Sequence, residues 1–246
     1  MLNKIIVLFI AGFVLVLPQD QANKTRYSPT GSEATLVGTI TVNGKTVPAK
    51  RIDMSADPVC IGLNRPARTE QIVRTGNKLQ NVLVYFKSGE PLRLLSFAAP
   101  SGPRVLSHKN CSFVPRVLGL FVNQTLAVEN LDPTFHNVHP LPKLNREWNM
   151  SQAPGSPPIT KTFDTVEVPI VVKCNQHPWE KAYLAVFDHP LFATSDNFGR
   201  YEIAGIPPGR YKVVAWHETL GEQETEITLV AGESRNLDFV FAGNAE

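Results

Sequence analysis

The run Val168-Pro169-Ile170-Val171-Val172 leads almost directly into Cys174-Asn175-Gln176-His177-Pro178. A short apolar run bounded by turn formers predicts a buried strand that ends in a tight loop. That loop carries a thiol and an imidazole three residues apart, a spacing that lets both face one metal ion. A second imidazole lies upstream in Phe135-His136-Asn137-Val138-His139, again at the end of a strand-like run. Loops so far apart in sequence meet where strands of a sandwich end together. The chain also holds 20 prolines and 16 glycines and shows no long helical periodicity. An all-β protein with many turns is the expected class. One thiolate with two imidazoles is a donor set that suits copper.

The segment from about Val105 to Asp188 resembles a cupredoxin, and its metal loop is similar to the short-loop amicyanin type. Cys174-x-x-His177-Pro178 matches the short ligand loop. Pro133-Thr134-Phe135-His136-Asn137 resembles the loop that carries the first histidine. Phe113-Val114-Pro115 and Leu126-Ala127-Val128-Glu129-Asn130 resemble the strands before it. The resemblance implies a Greek-key sandwich with one mononuclear copper ion held by His136, Cys174 and His177. It also implies single-electron transfer rather than turnover of a substrate, with the exposed edge of His177 as the exit. A c-type cytochrome or a periplasmic oxidoreductase is the partner it implies. The family loop carries an axial methionine where this chain has Glu180. Three readings stay open at this point: Glu180 binds the metal, Glu180 points to solvent, or copper binding is lost. A carboxylate donor would favour Cu(II) over Cu(I) and lower the reduction potential.

With Cys174 taken as a ligand, Cys60 and Cys111 remain as an even pair, expected as a disulfide; two separate buried thiols fit the same spacing. Asn137 is expected to brace the two ligand loops. His139 lies an odd number of residues from His136, on the other face of its strand, and reads as structural. His189, His217 and Glu218 sit in apolar strand contexts. They read as structural, with a second site or an interface contact as the alternatives.

The first 22 residues read as a signal peptide or N-terminal anchor. A lysine precedes an apolar run of 13 residues from Ile5 to Leu17, too short for a typical spanning helix. Export to the periplasm or cell envelope is the expectation, with a membrane tether through this segment if it is not cleaved. A net charge of +2 and the lack of basic runs interleaved with aromatics argue against nucleic acid.

The rest of the chain reads as a second unit. Ala34 to Val42 alternates with period two, Asn43-Gly44 is a hairpin signal, and a strand is expected from Val47 to Met54. Val82 to Phe86 is a further strand. Near the C-terminus, Thr194-Ser195-Asp196-Asn197-Phe198-Gly199-Arg200-Tyr201 and Pro207-Pro208-Gly209-Arg210-Tyr211 resemble the carboxypeptidase regulatory-like domain, a transthyretin-like sandwich. The resulting division is 34–100 and 190–243 for the two parts of that sandwich, with the cupredoxin-like domain at 104–189 inserted between them or standing in tandem. A glycan- or envelope-binding scaffold with a degenerate metal site is the alternative function, and residues 140–160 are expected to be a long loop beside the metal end.

Overall fold

The computed structural model describes residues 24–64 and 67–243. The expected leader, 1–22, lies outside the described residues. The fold is nearly all β, in two stacked sandwiches.

The strand Ala34–Asn43 alternates buried and half-buried residues along its length, as its period-two sequence requires. It pairs antiparallel with Arg200–Ile206 on one edge and parallel with Ser234–Asn236 and Phe239–Ala242 on the other. The facing sheet runs Phe192–Thr194, Leu83–Gly89, Gly209–His217, Gly221–Leu229. Strands from before residue 90 and after residue 191 therefore share both sheets: Phe192 pairs with Tyr85 and Ala193 with Val84. Leu36, Ile40, Phe86, Tyr211, Val213 and Phe241 fill the core between the sheets.

Residues 104–187 form the other sandwich. One sheet runs Ile159–Lys161, Leu126–Asn130, Arg104–His108, Phe113–Val114. Its partner runs Met150–Gln152, His136–Leu141, Glu167–Lys173, Lys181–Phe187, Val117–Phe121. The core between them contains Leu106, Leu120, Val138, Ile170 and Leu184.

The two sandwiches meet sheet to sheet. Leu83, Tyr85, Val214 and Trp216 point away from their own core onto Val117, Ala185 and Phe187 of the inserted unit. The central strands of the outer sandwich are thus buried on both faces, which explains their nearly continuous apolar sequence. Gly119 is required at this seam. A Cβ there would fall 2.2 Å from the Phe192 ring, so glycine is what lets that ring pack onto the strand Val117–Phe121. Arg116 completes the contact: it pairs with Glu218, which also accepts the Tyr183 hydroxyl hydrogen bond at 2.8 Å.

Three expectations are corrected. Asn43-Gly44 turns the chain, with Gly44 at φ 83°, but opens no hairpin. The strand expected from Val47 to Met54 is absent, and only a single bridge joins Arg51 to Arg68. Pro48 removes a ladder donor there, and the parallel edge of Ala34–Asn43 is already taken by the C-terminal strands. Residues 140–160 are not wholly loop, because Met150–Gln152 and Ile159–Lys161 pair as short edge strands.

Candidate metal centre

Register explains how the donors converge. Glu167–Lys173 and Lys181–Phe187 are antiparallel neighbours whose last pair is Lys173 with Lys181. Residues 174–180 form the connecting loop, so Cys174 and Glu180 stand opposite each other one step beyond that pair. Opposed residues share a face of the sheet, and here it is the inner face. The backbone closes the loop, with Cys174 N donating to Glu180 O at 3.4 Å and Glu180 N to His177 O at 2.9 Å. His136 begins the adjacent strand, held on its outer side by Gln152 across the Met150–Gln152 pairing.

His136, Cys174, His177 and Glu180 are all buried, and their donor atoms lie within 4.8 Å of one another. Nδ1 of His177 is 3.0 Å from Nδ1 of His136 and 3.7 Å from Cys174 Sγ. Glu180 Oε1 lies 2.9 Å from His136 Nδ1 and 3.3 Å from His177 Nδ1. Oε1 nonetheless has no aligned hydrogen-bond donor. Two imidazole nitrogens, a sulfur and a carboxylate oxygen thus point at one spot. Donors around a tetrahedral ion with bonds of about 2.0–2.3 Å are separated by roughly 3.3–3.7 Å. The observed spacings are close to that, and the set fits a single metal ion. Glu180 does not point to solvent.

A ring of further groups orients these donors. Asp132 Oδ2 is 3.1 Å from His136 Nε2 and accepts from Cys111 N at 2.8 Å. Asp57 Oδ2 is 3.0 Å from His177 Nε2 and accepts from the Thr134 hydroxyl. Glu180 Oε2 is 2.8 Å from His108 Nδ1. Asn137 Oδ1 accepts from Asn175 N at 2.5 Å and lies 3.4 Å from Cys174 Sγ, so it ties the two ligand loops together. Partners on the far side of ligating imidazoles fix ring orientation and raise donor strength.

Charge explains how the four donor side chains titrate. Burial opposes ionisation of both histidines, yet the close approach of Asp132, Cys174 and Glu180 holds His136 up to about 11. Cys174 and Glu180 likewise hold His177 up to about 10 against its own burial. Burial pushes Cys174 up, but the two imidazoles win and bring it down to about 7. Glu180 is held far below the ordinary carboxylate range, with its burial outweighed by His108, His136 and His177. A buried thiolate and carboxylate call for two positive charges at this spot, which two protons or one divalent cation can supply.

Cys60 and Cys111 are joined, with Cα atoms 5.5 Å apart. Cys60 lies in the helix Pro58–Leu63, which Asp57 caps through Oδ1 to Val59 N and Cys60 N. This helix belongs in sequence to the outer sandwich, but it lies over the metal end of the inserted one. Cys60 Sγ is 3.7 Å from His177 Nε2, and the Trp179 indole donates to Cys111 O. The exposed His177 edge expected from the sequence is therefore absent: His177 is 3% exposed. Asp57 and the disulfide cover it.

His139 faces the other way, reaching Glu147 and Asn175. His189 and His217 form no second metal cluster among the described residues. His189 Nδ1 accepts from Leu191 N, and His217 Nδ1 accepts from Thr219 N and Leu220 N. Asp57, His108 and Asp132 were missed by sequence reasoning. Asp132 had a local signal, four residues before His136 in the ligand-bearing loop. Asp57 and His108 had none, because long-range packing brings them in.

Residues 166–242 match the family model of the carboxypeptidase regulatory-like domain. The match covers less than half of the chain. In the structure, the carboxypeptidase regulatory-like sheets exclude the first part of that range, since Glu167–Lys173 and Lys181–Phe187 lie in the inserted sandwich. They include instead Ala34–Asn43 and Leu83–Gly89, which precede it. No curated protein matches the chain. Among solved structures it is similar to a copper-containing nitrite reductase from Thermus scotoductus SA-01, with 22% identity and a TM-score of 0.34 over 38% of this chain and 24% of that one. It is also similar to a purple cupredoxin from Nitrosopumilus maritimus, with 18% identity and a TM-score of 0.30 over 35% of this chain and all of that one. A variant of amicyanin in its Cu(I) form is 18% identical, with a TM-score of 0.31 over 42% of this chain and 98% of that one. The chain spans about a quarter of the nitrite reductase.

Proposed function

We propose that this is an exported, non-catalytic copper protein that carries single electrons through a mononuclear site of His136, Cys174, His177 and Glu180. The observation that supports it best is the convergence of those four donor atoms within 4.8 Å in a buried pocket. Thiolate and imidazole donors suit copper, which binds such sets more tightly than the other divalent first-row metals. When bound, copper supplies a one-electron couple. The protein's part is to hold the donors still on two paired strands, to keep water out, and to bias the couple. Cys174 and Glu180 both bring negative charge into a buried site, and this disfavours the singly charged metal state. A low reduction potential follows.

Because His177 is covered, its edge is not the exit for the electron. Exposed positions adjacent to the donors along the chain are Phe135, 57% exposed beside His136, Asn175 and Gln176 between Cys174 and His177, Pro178 after His177 and Lys181 after Glu180. A c-type cytochrome or a periplasmic oxidoreductase would dock there. The full complement of four protein donors argues against an open position for substrate, as catalytic metal sites have.

Titration of the purified protein with Cu(II) tests the reading. A thiolate-to-copper absorption band that saturates at one equivalent is expected, and Cys174→Ser should abolish it. A colourless protein that binds Zn(II) but not Cu(II) would replace this function with a structural zinc site. Failure to bind either metal, with retention on envelope polysaccharide, would favour a scaffold role for the carboxypeptidase regulatory-like domain.

A further inference from the structure

The donor set alone does not explain His108. It ends the strand Arg104–His108, in the sheet opposite the one that carries Cys174 and Glu180. Its side chain is fully buried. Its backbone is fixed on both sides, paired with Asn130 and with Phe113. Its ring is fixed as well, stacked on His136 at 4.3 Å with 15° between planes and tilted against Phe113 at 4.4 Å. Among the described residues Nε2 has no partner, and Nδ1 makes the one side-chain hydrogen bond of this residue, to Glu180 Oε2 at 2.8 Å. A polar ring held this rigidly, with one nitrogen left unsatisfied, is costly in a core. A core position would be better filled by phenylalanine unless the Nδ1 contact matters.

The consequence falls on Glu180. A carboxylate has two oxygens and can approach a cation with one or both. Here Oε2 is drawn toward the opposite sheet by His108, while Oε1 alone faces the two histidine nitrogens and lacks a donor of its own. We propose that His108 is a positioning residue that makes Glu180 a one-oxygen ligand and weakens its donation by sharing its charge through a hydrogen bond. This rests on the copper reading above and deepens it. It assigns the control of a carboxylate-containing copper site to a residue that does not itself reach the metal.

The test compares copper-loaded wild type with His108→Phe, which keeps the stacked ring and removes the donor, and with His108→Gln, which restores an N–H. In His108→Phe both carboxylate oxygens become free to bind. The electron spin resonance signal and the thiolate-to-copper band should change. The preference for Cu(II) over Cu(I) should rise about tenfold, which lowers a one-electron potential by about 59 mV. His108→Gln should return both readouts toward wild type, which a purely structural role would not predict. A coloured wild type whose spectrum and potential are unmoved by His108→Phe would overturn the inference and leave the copper reading standing. A wild type without the band would remove both.

If His108→Phe does not fold, the metal-free wild type supplies the second measurement. A downfield Nδ1–H proton on His108 is expected by nitrogen-resolved NMR, lost in Glu180→Met. A proton found on Nε2 alone would overturn the inference.

Discussion

Buried histidines occur in two regions of this molecule, with opposite consequences. At the metal end, His136 and His177 face a thiolate and three carboxylates, and each is held well above its ordinary range despite burial. Away from it, His189 in the link after Phe187 and His217 in the outer sandwich are equally buried, but each uses Nδ1 to accept backbone N–H groups. Burial dominates there and pushes both down to about 4. Burial alone therefore says nothing about a histidine's role. What decides it is whether anions at the ring nitrogens outweigh burial: they do at His136 and His177, whereas His108, with Glu180 on one nitrogen, is still held below its ordinary range by burial.

The largest test of this contrast is metal-linked stability. Copper at a thousand times its dissociation constant should stabilise the folded protein by about 4 kcal/mol, which is roughly a 10 °C rise in melting temperature for a chain of this size. His136→Phe should remove that rise, whereas His217→Gln should leave it intact. Equal losses in calorimetry would collapse the distinction between the regions.

A second test uses pH. His217 stays neutral in the fold, chiefly through burial, while the unfolded chain takes up a proton below about pH 6.5. A depressed folded-state value gives stability that is fully present above about 6.5 and lost as the pH falls toward 4. Between pH 7 and pH 5 the loss from this residue is about 2 kcal/mol. His217→Gln should flatten the urea midpoint over that interval. An unchanged slope would mean that His217 is charged in the folded protein.

The smallest effect is expected at His139, three residues from a ligand but turned outward to Glu147. His139→Gln should cost less than about 1 kcal/mol and leave the copper band where it is. A displaced band would place His139 in the electronic surroundings of the metal and blur the contrast.

The contrast also shows what was legible in the sequence. The convergence of His136, Cys174 and His177 could be read because each lies at or just beyond a strand end and carries its own local pattern. Glu180 could not be decided locally. Its direction depends on the pairing of Lys173 with Lys181, which a sequence does not display. The covering of His177 was equally hidden, since Asp57 and Cys60 come from more than a hundred residues upstream. Asp57 caps a short helix whose first residue is Pro58, and that helix carries the cover into place. The strands Ala34–Asn43 and Leu83–Gly89 and those after Phe192 carry strong strand and turn signals of their own. The missing strand at Val47 to Met54 was not legible, because the competitors for that sheet edge lie at the far end of the chain.

The inserted unit has its two ends together. Arg104 N bonds to Thr125 O, and Val122 N bonds to Phe187 O, so both ends rest on the same turn. Once folded, it shortens the span that the outer sandwich must close from about a hundred residues to about twenty, an entropic gain of roughly 1.4 kcal/mol. Synthesis runs the other way. Ala34–Asn43 is made early, while the strands that flank it along most of its length, Arg200–Ile206 and the two segments from Ser234 to Ala242, are made last. Until then its ladder edges stand unpaired, the condition in which strands join the wrong chain. A newly made chain is therefore most vulnerable to aggregation at its first long strand, and its safety depends on how quickly the middle of the chain folds.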